Sequence, residues 1–158
     1  MSRFIIVALR VVLLLLVLAV IAVQSLLVPL VASEVVAMYP EVSHLQWPYI
    51  LITDLVLACF LPAALAVWVL LGFVARRDTF TPQAVGWVDL IIGSATAAML
   101  LALGGALHLA WLGIGGPPVL LVTAGSLLLG PGFILLMLVL RGLLRDATAL
   151  RSELSEVI

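Results

Sequence analysis

Four apolar runs, at roughly 4–32, 49–74, 84–112 and 117–143, fill most of the chain, and short polar segments separate them. Each run exceeds the about 20 predominantly apolar residues that cross a hydrocarbon core. A strand exposed to lipid would leave backbone groups unpaired, so each run predicts a helix. The expected fold is all-α, an integral membrane four-helix bundle running up-down-up-down, in a single domain over residues 1–158. The joints differ in character. Residues 33–48 (SEVVAMYPEVSHLQWP) read as the one sizeable loop, RRDTFTPQ at 76–83 as a short charged turn, and GIGGPP at 113–118 as a tight one. Beyond the last run, residues 144–158 predict a helical tail outside the membrane.

The few charges decide the orientation. All seven basic side chains are Arg, with Arg3 and Arg10 at the first end, Arg76 and Arg77 in the middle turn, and Arg141, Arg145 and Arg151 at the last end. With four spans these three regions share one side, and the other side carries Glu34, Glu41 and His44 without any Arg. The positive-inside rule then predicts both termini in the cytoplasm, N-in and C-in. Trp47, Tyr49 and Trp111 fall at the opposite boundary, where an aromatic belt is expected. A competing reading makes residues 1–32 a cleaved signal peptide, with VAS at 31–33 as the cleavage site. Its apolar stretch is too long for a usual signal, and Arg10 interrupts its start.

Composition agrees with a bilayer as solvent: 66% of residues are hydrophobic, 9% are charged, and the mean hydropathy is +1.41. The single cysteine, Cys59, excludes an intramolecular disulfide, a CxxC redox pair and a cysteine-based zinc site. No HExxH, GxSxG or P-loop pattern occurs. An enzyme is therefore the least favoured class, and no cofactor or metal is expected. Glu34, Glu41 and His44 lack a ligand spacing and read as a solvated loop. The all-Arg basic set and the Ala, Leu, Val and Gly excess suggest a GC-rich bacterial source.

Depth counting at about 1.5 Å per residue sorts the intramembrane polar groups into two layers. The inner layer holds Arg10, Asp89 and Arg141, an expected ion-pair layer near the cytoplasmic boundary. The outer layer holds Asp54, His108 and Gln24, with Ser25 close by. No Arg lies at that depth, so an ionised Asp54 must find water, Thr53, Gln24 or His108. Asp54 with His108 is the one acid–imidazole pair that the depths allow. An intramembrane acid is a functional candidate by default, against the plainer alternative that Asp54 faces water or headgroups.

Two backbone features add to this. Ser94, Ala98, Ala102, Ala106 and Ala110 form a small-residue ridge at four-residue spacing, which suits close packing within the chain better than dimerisation. Pro62 and Pro131 sit near the middles of the second and fourth runs and are candidate hinges, although proline is also tolerated in membrane helices. In the tail, Leu143, Ala147, Leu150, Leu154 and Val157 repeat at alternating spacings of four and three, an apolar seam fit for docking. Its near-balanced charge gives no basis for direct nucleic-acid binding.

With YP at 39–40, RRDTFTPQAVGWVDLI at 76–91 and LLRDATALRSELSEVI at 143–158, the chain resembles the bacterial membrane family DUF2975 over nearly its whole length. Gly86 and Asp89 stand where basic residues would be usual in that family. The resemblance implies an inner-membrane protein without assigned chemistry, whose gene often neighbours that of a small helix-turn-helix regulator. Besides the lipid bilayer, the expected partners are therefore such a cytoplasmic protein or a second copy of the chain. The favoured function is a membrane regulator, sensor or interaction protein acting through the 76–83 turn and the tail. The alternative is a transporter component or small-solute carrier using the outer Asp54 and His108 layer.

Overall fold

A computed structural model describes residues 3–76, 81–113 and 116–156, and they are helical almost throughout. Six α-helices build four spans. The first span joins α1 (Arg3–Ala22) to α2 (Val28–Met38) through a π-helical turn at Val23–Leu27. The second consists of α3 (Gln46–Ala58) and α4 (Phe60–Arg76), the third of α5 (Pro82–Trp111), and the fourth of α6 (Gly116–Glu156). Helices long and apolar enough to cross a membrane cover Phe4–Met38, Ser43–Ala75, Gln83–Trp111 and Gly116–Leu150. Of the middle turn, residues 77–80, Arg77 included, lie outside the described residues, as do 114 and 115 of the tight turn.

Prolines explain the breaks. In the π turn the Val28 N–H bonds the carbonyl of Val23, five residues back. Pro29 has no N–H, and its ring would crowd the carbonyl of Ser25 in a regular helix; the widened turn relieves both problems. At the other end of α2, Tyr39 precedes Pro40 and leaves helical geometry (φ −132°, ψ 77°), as a pre-proline residue favours. The segment 33–48 is therefore not the loop expected from its polarity. Helix α2 runs to Met38, a 3-10 turn spans Pro40–Leu45, and α3 starts at Gln46.

The hinge candidates divide. The second span breaks at Cys59, between α3 and α4, three residues ahead of Pro62. Pro62 cannot donate to the carbonyl of Ala58, and the interruption is slight: Cys59 keeps helical angles (φ −61°, ψ −21°) and its N–H still bonds the Leu55 carbonyl at 3.1 Å. Pro131 lies inside α6, which continues past it to Glu156. The two prolines thus do not form a pair of matching breaks.

Packing follows chain order. The substantial contacts join α1 to α4, α2 to α3, both α3 and α4 to α5, and α5 to α6. Among the described residues, the first and fourth spans share no substantial contact, so the four helical spans of the expected bundle are arranged as an open row. The buried positions show where the row is thickest. They are Ile6 and Leu13 of α1, Ala64, Ala66 and Leu71 of α4, and Ala84, Val88, Ile91, Ser94 and Ala106 of α5, whereas no described side chain of α6 is buried. Two members of the small-residue ridge, Ser94 and Ala106, belong to this buried set. Small residues let backbones approach where lipid supplies no hydrophobic drive between helices. The Leu-rich outer faces of α1 and α6 stay exposed, as befits surfaces that meet hydrocarbon.

Helix α6 is held to α5 at a close crossing. A Cβ added to Gly130 would stand 2.5 Å from Met99 Sδ and 2.7 Å from its Cγ, so the Met99 side chain would have to move if any larger residue stood there. With the Asp89–Arg141 contact, this crossing pairs α5 and α6 antiparallel, and extending both helices at the regular rise brings Pro82, the first residue of α5, level with Thr148. The last eight residues of α6 therefore extend about 12 Å beyond the end of α5.

Replacing Gly130 with Val should destabilise the α5–α6 contact by about 1–3 kcal/mol, the range for overpacking. Thermal unfolding of the purified protein in detergent measures it. A Met99→Ala change made in the Gly130→Val background should recover part of the loss.

Candidate functional site

Asp54, Gln24 and His108, expected to share one layer, do not all meet: Gln24 reaches Asp54 and His108 does not. Asp54 lies on the face of α3 formed by Leu51, Asp54, Leu55 and Ala58, whose spacing puts them on one side of a helix. That face looks toward Ile21, Gln24 and Ser25 of the first span, and an open groove of about 420 Å³ lies between them. Gln24 donates from Nε2 to the backbone carbonyl of Asp54 at 2.8 Å. Ser25 donates to the carbonyl of Ile21 at 2.9 Å, within its own span. The widened π turn carries both side chains, so Pro29 helps to set where they point. The Oδ1 oxygen of Asp54 is shielded from solvent and has no hydrogen-bond partner among the described residues.

His108 is not the partner of Asp54. Its Nδ1 meets the Tyr49 hydroxyl at 2.5 Å, and the two rings stack with centroids 6.1 Å apart. The reason is rotational. Tyr49 and Asp54 are five residues apart, which turns them about 140° from each other around α3. In an open row the second span has one neighbour on each side, so Tyr49 reaches α5 while Asp54 faces the first span. Thr53, the other neighbour considered, donates to the carbonyl of Tyr49 at 2.8 Å.

The inner layer also splits. Arg141 and Asp89 form an ion pair through Nε and Oδ1, and Arg141 Nη2 donates to Oδ2 at 3.1 Å. Arg10 takes an aromatic partner: its guanidinium lies over the Trp68 ring, 5.2 Å from the centroid. Gly72, one turn beyond Trp68, lies beside the Arg10 head, and a Cβ there would only touch Nη2, at 3.9 Å. A guanidinium over an indole face is a favourable cation–π arrangement, stronger where water is scarce.

Glu34 is exposed on α2, and Glu41 and His44 are exposed on the 3-10 turn Pro40–Leu45. Among the described residues, no three His, Cys, Asp or Glu side chains converge as metal ligands would. In the tail seam, Leu143 and Leu150 are exposed and Ala147 is half-buried, while the side chain of Leu154 and all of Val157 lie outside the described residues.

Three participants were not singled out from sequence as site residues. Tyr49 read only as a belt anchor, Trp68 drew no notice, and Pro29 went unremarked. Signals for two of them exist: Pro29 stands four residues after Ser25, the spacing at which its ring disturbs a carbonyl, and Trp68 lies about as far from its boundary as Arg10 does from its own.

Two outcomes test these contacts. Tyr49→Phe should cost about 0.5–1 kcal/mol, the lower part of the range for one hydrogen bond, because the pair is exposed. Asp89→Arg should lower the melting temperature in detergent, and the double change Asp89→Arg with Arg141→Asp should restore part of it. Absence of any rescue would show that the pair does not hold α5 to α6.

The model of the family described as Protein of unknown function (DUF2975) matches residues 30–158. The match takes in Tyr49, Asp54, Asp89, His108 and Arg141, whereas Arg10 and Gln24 precede it. No curated protein and no solved structure matches the chain.

Proposed function

We propose, since the chain belongs to the DUF2975 family, that it is a small multi-pass regulator or interaction protein of the bacterial inner membrane. Both termini lie in the cytoplasm, and it acts through the projecting end of α6 and the neighbouring 76–83 turn. One observation carries this reading. Leu150 is 61% exposed and lies beyond Arg145 and Asp146, on the part of α6 that has outrun α5. Leu150 is the last residue of the stretch apolar enough to cross a membrane, and with Arg145 and Asp146 before it we place it at the water boundary. An exposed leucine on such a helix, in line with Leu143, is a surface for a protein partner. The partner is a cytoplasmic protein of the small helix-turn-helix type or a second copy of the chain.

Orientation is tested with single cysteines in a Cys59→Ala background. Ser43→Cys should react with a membrane-impermeant maleimide in intact cells, and Thr148→Cys only after permeabilisation; the reverse pattern rejects the orientation. A photocrosslinking side chain at Leu150 should capture a defined protein, and Leu150→Asp should abolish the capture while changing stability by no more than about 0.5 kcal/mol. Crosslinks to lipid alone would reject the partner reading.

A second reading, a small-solute carrier using the outer layer, rests on the groove between the first and second spans and the unpaired Asp54 oxygen inside that layer. Flux of a solute into sealed vesicles, absent in Asp54→Asn, is its test.

A further inference from the structure

The groove beside Asp54 offers a ligand one kind of chemistry. Three of its lining side chains are polar, Gln24, Ser25 and Asp54, and no Arg or His is among the lining residues. Ser25 gives its only proton to the Ile21 carbonyl, and Gln24 turns its amide nitrogen onto the backbone of α3. The groove is then rich in acceptors, the Asp54 carboxylate, the amide oxygen of Gln24 and the lone pairs of the Ser25 hydroxyl, against the one N–H that Gln24 has left. The other lining residues, Leu51 and Leu55 among them, are apolar. The Asp54 carboxylate has no cation beside it among the groove's lining residues and one of its oxygens lacks a donor, so a bound cation with N–H donors would supply the partner that the protein does not.

We propose that this groove binds an amphiphilic ammonium ion, a protonated primary amine carried on an apolar body, entering sideways from the bilayer. The charge meets Asp54 and the body lies along the leucines. The volume of about 420 Å³ is in the range of small-molecule pockets. Depth favours a free amphiphile over a lipid headgroup. Asp54 is seven residues past Trp47 on α3, about 10 Å below the aromatic belt, and the ammonium of a phospholipid sits at or above that belt. The inference rests on the groove of the carrier reading but not on passage, because binding alone satisfies it.

The full chain in phosphatidylcholine nanodiscs, titrated with dansylcadaverine, tests it by fluorescence. The wild type should bind saturably, and the neutral N-acetylated probe should not, a comparison that needs no variant. Asp54→Asn should weaken binding about tenfold to hundredfold, the span of one lost charge-assisted hydrogen bond. Ala58→Phe, which fills the groove and keeps the acid, should also weaken it. Equal binding of the two probes, no saturable binding, or an unchanged Asp54→Asn variant overturns the proposal. Replacing half the lipid with phosphatidylethanolamine should leave binding intact; loss of binding would assign the site to the lipid ammonium and overturn the free-amphiphile assignment. Nanodiscs have no second compartment, so binding with failed vesicle flux would reject the carrier reading alone.

Discussion

Close approach at small side chains is the constraint on which this fold depends. In hydrocarbon, leucine gains nothing by touching another helix instead of a lipid tail, so helices associate through tight backbone contact and polar links. Helix α5 supplies the tight contact on both sides. Its Ala84, Ser94 and Ala106 are buried within the row, and its Met99 lies across Gly130 of α6. The outer spans, by contrast, are mostly leucine and valine, and these stay on the surface. A row centred on α4 and α5 with greasy edges is the result.

Each neighbouring pair in the row is also joined by a polar contact, and no single layer of charge runs through the whole structure. Gln24–Asp54 and Arg10–Trp68 join the first span to the second, Tyr49–His108 the second to the third, and Asp89–Arg141 the third to the fourth. Such links matter more where water is scarce, because an unpaired polar group has no solvent to fall back on. Asp54 stands apart from the others. Its backbone carbonyl accepts from Gln24, while its carboxylate keeps one shielded oxygen without a donor. The acid thus contributes to packing through its main chain and leaves its side chain to the groove.

Sequence reasoning succeeded where the bilayer imposes a length. Run lengths located four membrane-crossing helices, and depth counting placed Asp89 level with Arg141 and Gln24 level with Asp54. It failed where rotation about a helix axis decides. Asp54 and His108 share a depth, yet Asp54 faces the first span and His108 faces Tyr49, because residues five apart point in different directions. Polarity likewise mistook 33–48 for a loop. The amphipathic ends of α2 and α3 keep their helical bonds outside the most apolar stretch, and only Tyr39, ahead of Pro40, leaves helical geometry there.

The sequence by itself determined that the chain suits a bilayer and how many helices are long and apolar enough to cross it. Those follow from hydrophobicity and rise per residue, which are one-dimensional quantities. The tertiary structure alone decided that the spans form an open row, that the second span breaks at Cys59 while α6 passes through Pro131, and that Asp54 borders a groove instead of pairing with His108. Those outcomes depend on which faces of neighbouring helices meet, and contact between faces is fixed only when all four spans pack together.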